Sequence, residues 1–164
     1  MTWHRIALSC AASVALCLAQ APRVTVETEA GSIVVELDNK RAPKTVYNFL
    51  HYVDAGHYSG GLFHRTVKTK PDNQPRNEVK IDVIQAGVRT AAQEQSLAPI
   101  ELERTSVTGV LHKDGAISMA RFGPDSAISE FFICIGDQPE LDFGGKRNPD
   151  GQGFAAFGRV VEGM

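Results

Sequence analysis

One short stretch of this chain carries apolar residues at helical spacing, and the segments around it do not. Val46, Phe49, Leu50 and Val53 fall at i, i+3, i+4 and i+7, starting just after Pro43 and stopping at Gly56. Proline at the start and glycine past the end frame an amphipathic helix of about three turns. Its N-cap, Ala42, offers no side-chain acceptor and is a weak cap. Before it, Val24 and Val26 alternate with Thr25 and Glu27, the chain turns near Ala30-Gly31, and Ile33, Val35 and Leu37 resume the alternation. That is a β-hairpin with one buried face.

Beyond the helix the strands continue, punctuated by glycine and proline. Leu62 to Val67 reads as a strand and Lys68 to Asn77 as a polar loop; Val79, Ile81 and Val83 alternate as a further strand that ends at Gln85-Ala86-Gly87. The stretch from Ala91 to Glu103 fits neither period. His112 to Gly115 is a turn, Ala116 to Ala120 a strand, Gly123 to Ser126 a turn, Glu130 to Ile135 a strongly apolar strand and Ala155 to Val161 the last strand. Gly136 to Gly153 is a long loop of the kind that carries function. Many short strands around one helix point to an antiparallel barrel or sandwich forming a single domain. At 164 residues, with 43% hydrophobic residues, the chain can bury a core without disulfides or a structural metal. A net charge of -2 removes the electrostatic case for a nucleic-acid partner.

The first residues read differently. Arg5, the apolar run Ile6 to Leu18 and Ala19-Gln20-Ala21 have the layout of a cleavable secretory signal, giving a leader over residues 1–21, a mature domain over 22–164 and a periplasmic or secreted location. The run is short for a membrane span, and Leu16 before Cys17 fits a lipoprotein signal poorly. Cleavage after Ala19 is the alternative to cleavage after Ala21. Two of the 3 cysteines lie in this leader, so Cys134, inside Phe131-Phe132-Ile133-Cys134-Ile135, is read as an inert core residue with no disulfide.

Covalent and metal chemistry find no support. There is no G-x-S-x-G elbow, and an apolar setting raises the Cys134 thiol. The spacing of His51, His57 and His64 matches no metal-ligand pair, so no metal or cofactor is expected. Gly144-Gly145 and Gly151-Gln152-Gly153 lack the strand-to-helix context of a phosphate loop.

What remains is an ordered set of short motifs: Phe63-His64-Arg65, Ile84-Gln85-Ala86-Gly87, Ile117-Ser118-Met119-Ala120 with Gly123-Pro124, Phe131-Phe132-Ile133, Ala155 to Gly158, and Val161-Glu162-Gly163. In this order, from about Val24 to Met164, the chain resembles the cyclophilin-type peptidyl-prolyl cis-trans isomerases. The resemblance implies a mainly β fold, a closed antiparallel β-barrel with one or two capping helices. The family continues past Met164 with a helix and a closing strand, so a C-terminally truncated domain is expected. It also implies proline-containing polypeptides as substrates and a monomer that acts without a cofactor.

Rotation about an X-Pro bond must break amide resonance, at a barrier of about 18–20 kcal/mol, and needs no covalent intermediate. The resemblance makes Arg65 the catalytic donor to the twisted amide. It places Phe63, Val83, Gln85, Ala120, Arg121, Glu130, Phe132, Leu141 and Phe154 in contact with substrate. Val83, Phe132, Leu141 and Phe154 would form the proline pocket, Ala120 and Arg121 would offer backbone contacts, and Gln85 would hold the substrate backbone or the arginine. Several positions depart from the family pattern. Asp82 stands where a pocket phenylalanine is frequent, either facing Arg65 or turned out by a register that points Ile81 and Val83 inward. Val83 replaces a methionine, Glu130 a glutamine and Phe154 a histidine. Glu140 stands where cyclosporin-sensitive members carry tryptophan, so weak cyclosporin binding is expected. These departures leave two further readings: a proline-segment binding module with little turnover, and an unrelated secreted barrel that carries lipid or sugar. The 68–77 segment reads as an inserted surface loop.

Overall fold

The computed structural model describes residues 20–88 and 97–164. The leader read at Ile6 to Leu18, with Cys10 and Cys17, lies outside the described residues, as does the 91–103 stretch before residue 97. The described residues form seven strands: β1 (Arg23–Thr28), β2 (Gly31–Leu37), β3 (Leu62–Val67), β4 (Val83–Gly87), β5 (Ala116–Met119), β6 (Phe131–Cys134) and β7 (Ala155–Glu162). Helix α1 (Pro43–Asp54) follows β2, a single turn α2 (Thr105–Thr108) precedes β5, and a 3-10 turn at Pro139–Leu141 follows β6.

All strands pair antiparallel, in the order β1-β2-β7-β5-β6-β4-β3. β1 and β3, at opposite ends of this order, line one shared cavity floored by Phe49 and Phe131, so the sheet curls into a half-barrel. Where a closed barrel was expected, the β1 and β3 edges are not hydrogen-bonded to each other, and among the described residues no strand lies between them.

The two faces of this sheet bury different clusters. One face sends Ile84, Ala86, Ile117, Met119, Phe131, Ile133 and Phe157 against Val46 and Phe49 of α1. The alternate residues, Val83, Ala116, Phe132 and Cys134, point the other way and pack with Val67, Ile81 and Leu141. Period-two alternation along β4, β5 and β6 therefore separates a helix-covered core from a second apolar layer covered by the loop around Pro139–Leu141.

Helix α1 starts and stops where the sequence places it, but its cap comes from elsewhere. Ala42 makes no side-chain cap bond. Instead the Glu103 carboxylate accepts the backbone N–H groups of Lys44 (3.1 Å) and Thr45 (2.8 Å) and the Thr45 hydroxyl (2.7 Å). A negative charge at the orphan N–H groups satisfies both their hydrogen bonding and the helix dipole.

The strand read from Val79 begins only at Val83. The side chain of Gln74 explains the difference, because its amide donates to the Ile81 carbonyl (2.8 Å) and accepts from the Ile81 N–H (3.3 Å). Those are the backbone groups a ladder would have used, so the 68–77 loop takes them over. Turn α2, absent from the sequence reading, contains Thr105-Ser106-Val107-Thr108 and ends on Gly109 at φ 68°. Too short for a periodic signal, it is legible only through that left-handed glycine.

Candidate active site

The register of three strand pairs lines up the central residues of the second face. Arg65 of β3 opposes Gln85 of β4, Gln85 opposes Phe132 of β6, and Phe132 opposes Ser118 of β5. Directly opposed residues share a face, so guanidinium, amide, aromatic ring and hydroxyl form one row across the sheet. The register between β3 and β4 shifts between Phe63 and Arg65, leaving His64 as the extra residue. Such a bulge re-aims side chains locally. Here it brings two consecutive residues, His64 and Arg65, onto one polar line.

That line is continuous. Arg65 Nη1 donates to Gln85 Oε1 (3.2 Å), Gln85 Nε2 donates to Glu130 Oε2 (2.9 Å), and His64 Nε2 meets the same carboxylate oxygen at 3.2 Å. Arg65 is exposed, so its guanidinium keeps donors free for a ligand. Asp82 does not reach it. The Asp82 carboxylate accepts the backbone N–H of Thr69 (2.6 Å) and its hydroxyl (2.8 Å), while Ile81 and Val83 on either side are buried. Of the two registers open to the sequence, this is the one that turns Asp82 outward.

Beside the polar line sits the aromatic corner. Phe132 and Phe154 meet edge to face with centroids 5.4 Å apart, over buried Val83 and Leu141 and with Ala120 at the margin. The side chain of Arg121, buried in the structure, builds the wall behind them. Its Cζ lies 5.1 Å over the Phe154 ring, its Nε donates to the Gly153 carbonyl (2.8 Å), and its Nη atoms form a bidentate pair with Asp150 (2.7 and 2.9 Å). The Arg121 bond holds the Asp150 carboxyl below the usual carboxylate range. Phe63 stands apart from this corner. It opposes Ala86 and lies edge-on to Phe131 at 6.3 Å, on the helix-covered face.

Two features of the corner have no counterpart in the sequence motifs. His112 is buried, with Nδ1 2.7 Å from Asp142 and Nε2 2.9 Å from the Ser118 hydroxyl. The order of groups is that of a hydrolytic triad, but Ser118 is 0% exposed, so no carbonyl can reach its oxygen. The second is Arg147, whose Nη1 donates to Gln74 Oε1 (2.8 Å) and the Val79 carbonyl (2.6 Å) and fastens the 68–77 loop. Burial and the nearby charge of Arg65 push its guanidinium below the usual range. Spacing gave no sign of either, because their partners lie 30 and 73 residues away.

Cys134 is fully buried, and burial pushes its thiol up to about 12, which removes it as a nucleophile. No cluster of metal-ligating side chains occurs among the described residues. The Phe132–Phe154 corner thus adjoins the polar line that carries the exposed Arg65 guanidinium, with Gln85 paired to both Arg65 and Phe132.

Residues 23–164 match the family model for cyclophilin type peptidyl-prolyl cis-trans isomerases. A peptidyl-prolyl cis-trans isomerase of Streptomyces antibioticus is 41% identical over 144 residues, spanning 86% of this chain and 78% of its own. Peptidyl-prolyl cis-trans isomerase B of Escherichia coli is 32% identical over 142 residues, spanning 86% and 79%. Among solved structures, a cyclophilin type isomerase of Cryptosporidium parvum, crystallised in the presence of the dipeptide Ala-Pro, superposes with a TM-score of 0.66. It is 22% identical and covers 87% of this chain and 80% of its own, a likeness of fold.

Proposed function

The chain belongs to the cyclophilin-type peptidyl-prolyl cis-trans isomerases, and on that premise we propose that Arg65 stabilises the twisted X-Pro amide while the Phe132–Phe154 corner seats the proline ring. In the planar amide the nitrogen lone pair is delocalised; at the twisted geometry it is localised and accepts a hydrogen bond. A donor aimed there binds the transition state better than either ground state, which is the condition for catalysis. A guanidinium supplies that donor without changing protonation. One such bond in a water-poor site supplies about 2–4 kcal/mol, by analogy with a single oxyanion-hole donor.

The observation that carries the reading is the Arg65–Gln85–Phe132 row, which sets a held cation two strands away from an aromatic corner, with Gln85 between them. Val83 and Leu141 pack beside Phe132 with Ala120 at the margin, and in this reading the Ala120 and Arg121 backbone would contact substrate. With Asp82 engaged by Thr69, one of the motives for a binding module without turnover falls away. The reading extends to proline-containing segments of exported polypeptides as substrates. A location outside the cytoplasm is consistent with the leader-like run Ile6 to Leu18, and the reading includes a monomer. The same proposal includes weak cyclosporin binding, and closure of the half-barrel by a strand seated between β1 and β3.

Exchange spectroscopy on a short X-Pro peptide tests the activity. Added at catalytic concentration, the full chain should bring cis and trans signals into exchange on a sub-second scale, against tens of seconds without it. Unchanged exchange would remove the enzyme reading.

A further inference from the structure

Glu130 sits at the far end of the polar line, where its Oε2 accepts from Gln85 and meets His64 Nε2 at 3.2 Å. Its carboxylate lies over the Gly87 backbone, where an added Cβ would come within 2.0 Å of Oε1, so glycine at 87 keeps this position open. The Tyr58 ring lies close by on the helix side; its hydroxyl donates to the Ser129 carbonyl and does not compete for the carboxylate. Gln85 therefore stands between two partners of opposite demand.

A guanidinium only donates and a carboxylate only accepts, whereas a glutamine amide does one at each end. A single orientation of Gln85 satisfies both neighbours, with its NH2 toward Glu130 and its oxygen toward Arg65. With an amide at 130 in place of the acid, either orientation of Gln85 finds a partner there, and the flipped one turns NH2 against the guanidinium. We infer that Glu130 is a positioning residue: by accepting from Gln85 it fixes the amide oxygen toward Arg65 and so holds the guanidinium in register for the twisted bond. This assigns the acid at 130 to the orientation of the catalytic donor, in place of the substrate contact expected from the sequence. It rests on the reading of Arg65 given above.

The test is steady-state isomerase kinetics on the full chain, with substrate varied so that kcat and KM separate, alongside thermal midpoints. Glu130→Gln should lower kcat about fivefold and leave KM within about twofold, the pattern of an interaction felt only in the transition state. In the Gln85→Ala background the same substitution should have no further effect, because both act through one orientation. Wild-type kcat in Glu130→Gln, a loss carried by KM, or multiplication of the two single effects would overturn the inference. So would a lowered thermal midpoint with kcat intact. Arg65→Ala is measured in the same series. If it keeps full activity, the reading of Arg65 fails; if it is inactive while Glu130→Gln matches wild type, only the role of Glu130 fails.

Discussion

The His112 imidazole lies against the Phe132 ring, with centroids 6.0 Å apart and planes 15° from parallel. Asp142 and Ser118 hold it from either side. The Phe132–Phe154 corner is thus braced from behind by a buried polar network. His112→Phe keeps a flat ring against Phe132 but strips Asp142 and Ser118 of their partner. Chemical denaturation should show a loss of about 1–3 kcal/mol, the range for orphaning a buried polar group. A stability equal to wild type would remove the bracing role.

Arg121 braces the corner from the other side. Arg121→Ala should raise KM for X-Pro peptides about three- to tenfold with a smaller change in kcat, since it frees Phe154 without touching the reacting bond. Unchanged KM would show that Phe154 holds its place unaided. The same pair sets an acid-side dependence of stability. The Asp150 carboxyl is held below 3.8, its ordinary value, chiefly by the Arg121 hydrogen bond. In acid the unfolded chain thus binds this proton more readily than the folded one, so stability rises with pH there. The contribution is present above about pH 4 and disappears as pH falls through the lowered native value. Asp150→Asn should flatten the pH dependence of the thermal midpoint below pH 4; an unaltered profile would contradict this.

Glu103 caps α1 across 58 residues of sequence. Glu103→Ala should destabilise the fold by about 1–2 kcal/mol, as loss of a helix N-cap does. Circular dichroism melts read this directly, and a midpoint equal to wild type would mean that water replaces the carboxylate without penalty.

Cys134 should resist modification in the native state. Peptide mapping after treatment with a thiol reagent at pH 8 should find Cys134 unmodified in folded protein and fully modified in denaturant, because burial pushes the thiol up to about 12. Native labelling at Cys134 would contradict the packing of β6.

How much of this was legible in the sequence depended on the range of each interaction. The β1–β2 hairpin, α1 and the apolar strand β6 follow from local periodicity, and the structure keeps them within a residue or two. The site row was legible as motifs, since Phe63-His64-Arg65 and the segment around Gln85 each lie on one strand. What brings them together, the bulge at His64 and the register across β4 and β6, has no local signature. The same holds for the cap from Glu103, the ladder groups taken by Gln74 and the burial of His112. Glu103 and Asp142 act from 58 and 30 residues away, and Gln74 reaches Ile81 across a loop without periodicity, so none of these contacts shows in the local pattern. Asp82 shows the point best: its alternation left two registers open, and Thr69, reached only through the loop, separates them.

Glu140 is the middle residue of the 3-10 turn, and its carboxylate accepts the Lys146 N–H at 2.8 Å. The family resemblance read from the sequence places Glu140 where a tryptophan accompanies cyclosporin sensitivity. Inhibition in the micromolar range or weaker is expected, and nanomolar potency in an isomerase assay would contradict it.

The central claim is that a fixed guanidinium at 65 supplies the catalysis. A protease-coupled isomerase assay comparing the full chain with Arg65→Ala and Arg65→Lys tests it most directly. Arg65→Ala should lower kcat/KM by about 10²–10³, the effect of removing a single transition-state donor. Arg65→Lys should recover only part of that, because a point charge does not reproduce the planar fork. Activity in Arg65→Ala within about twofold of wild type, with the fold intact, would contradict the account.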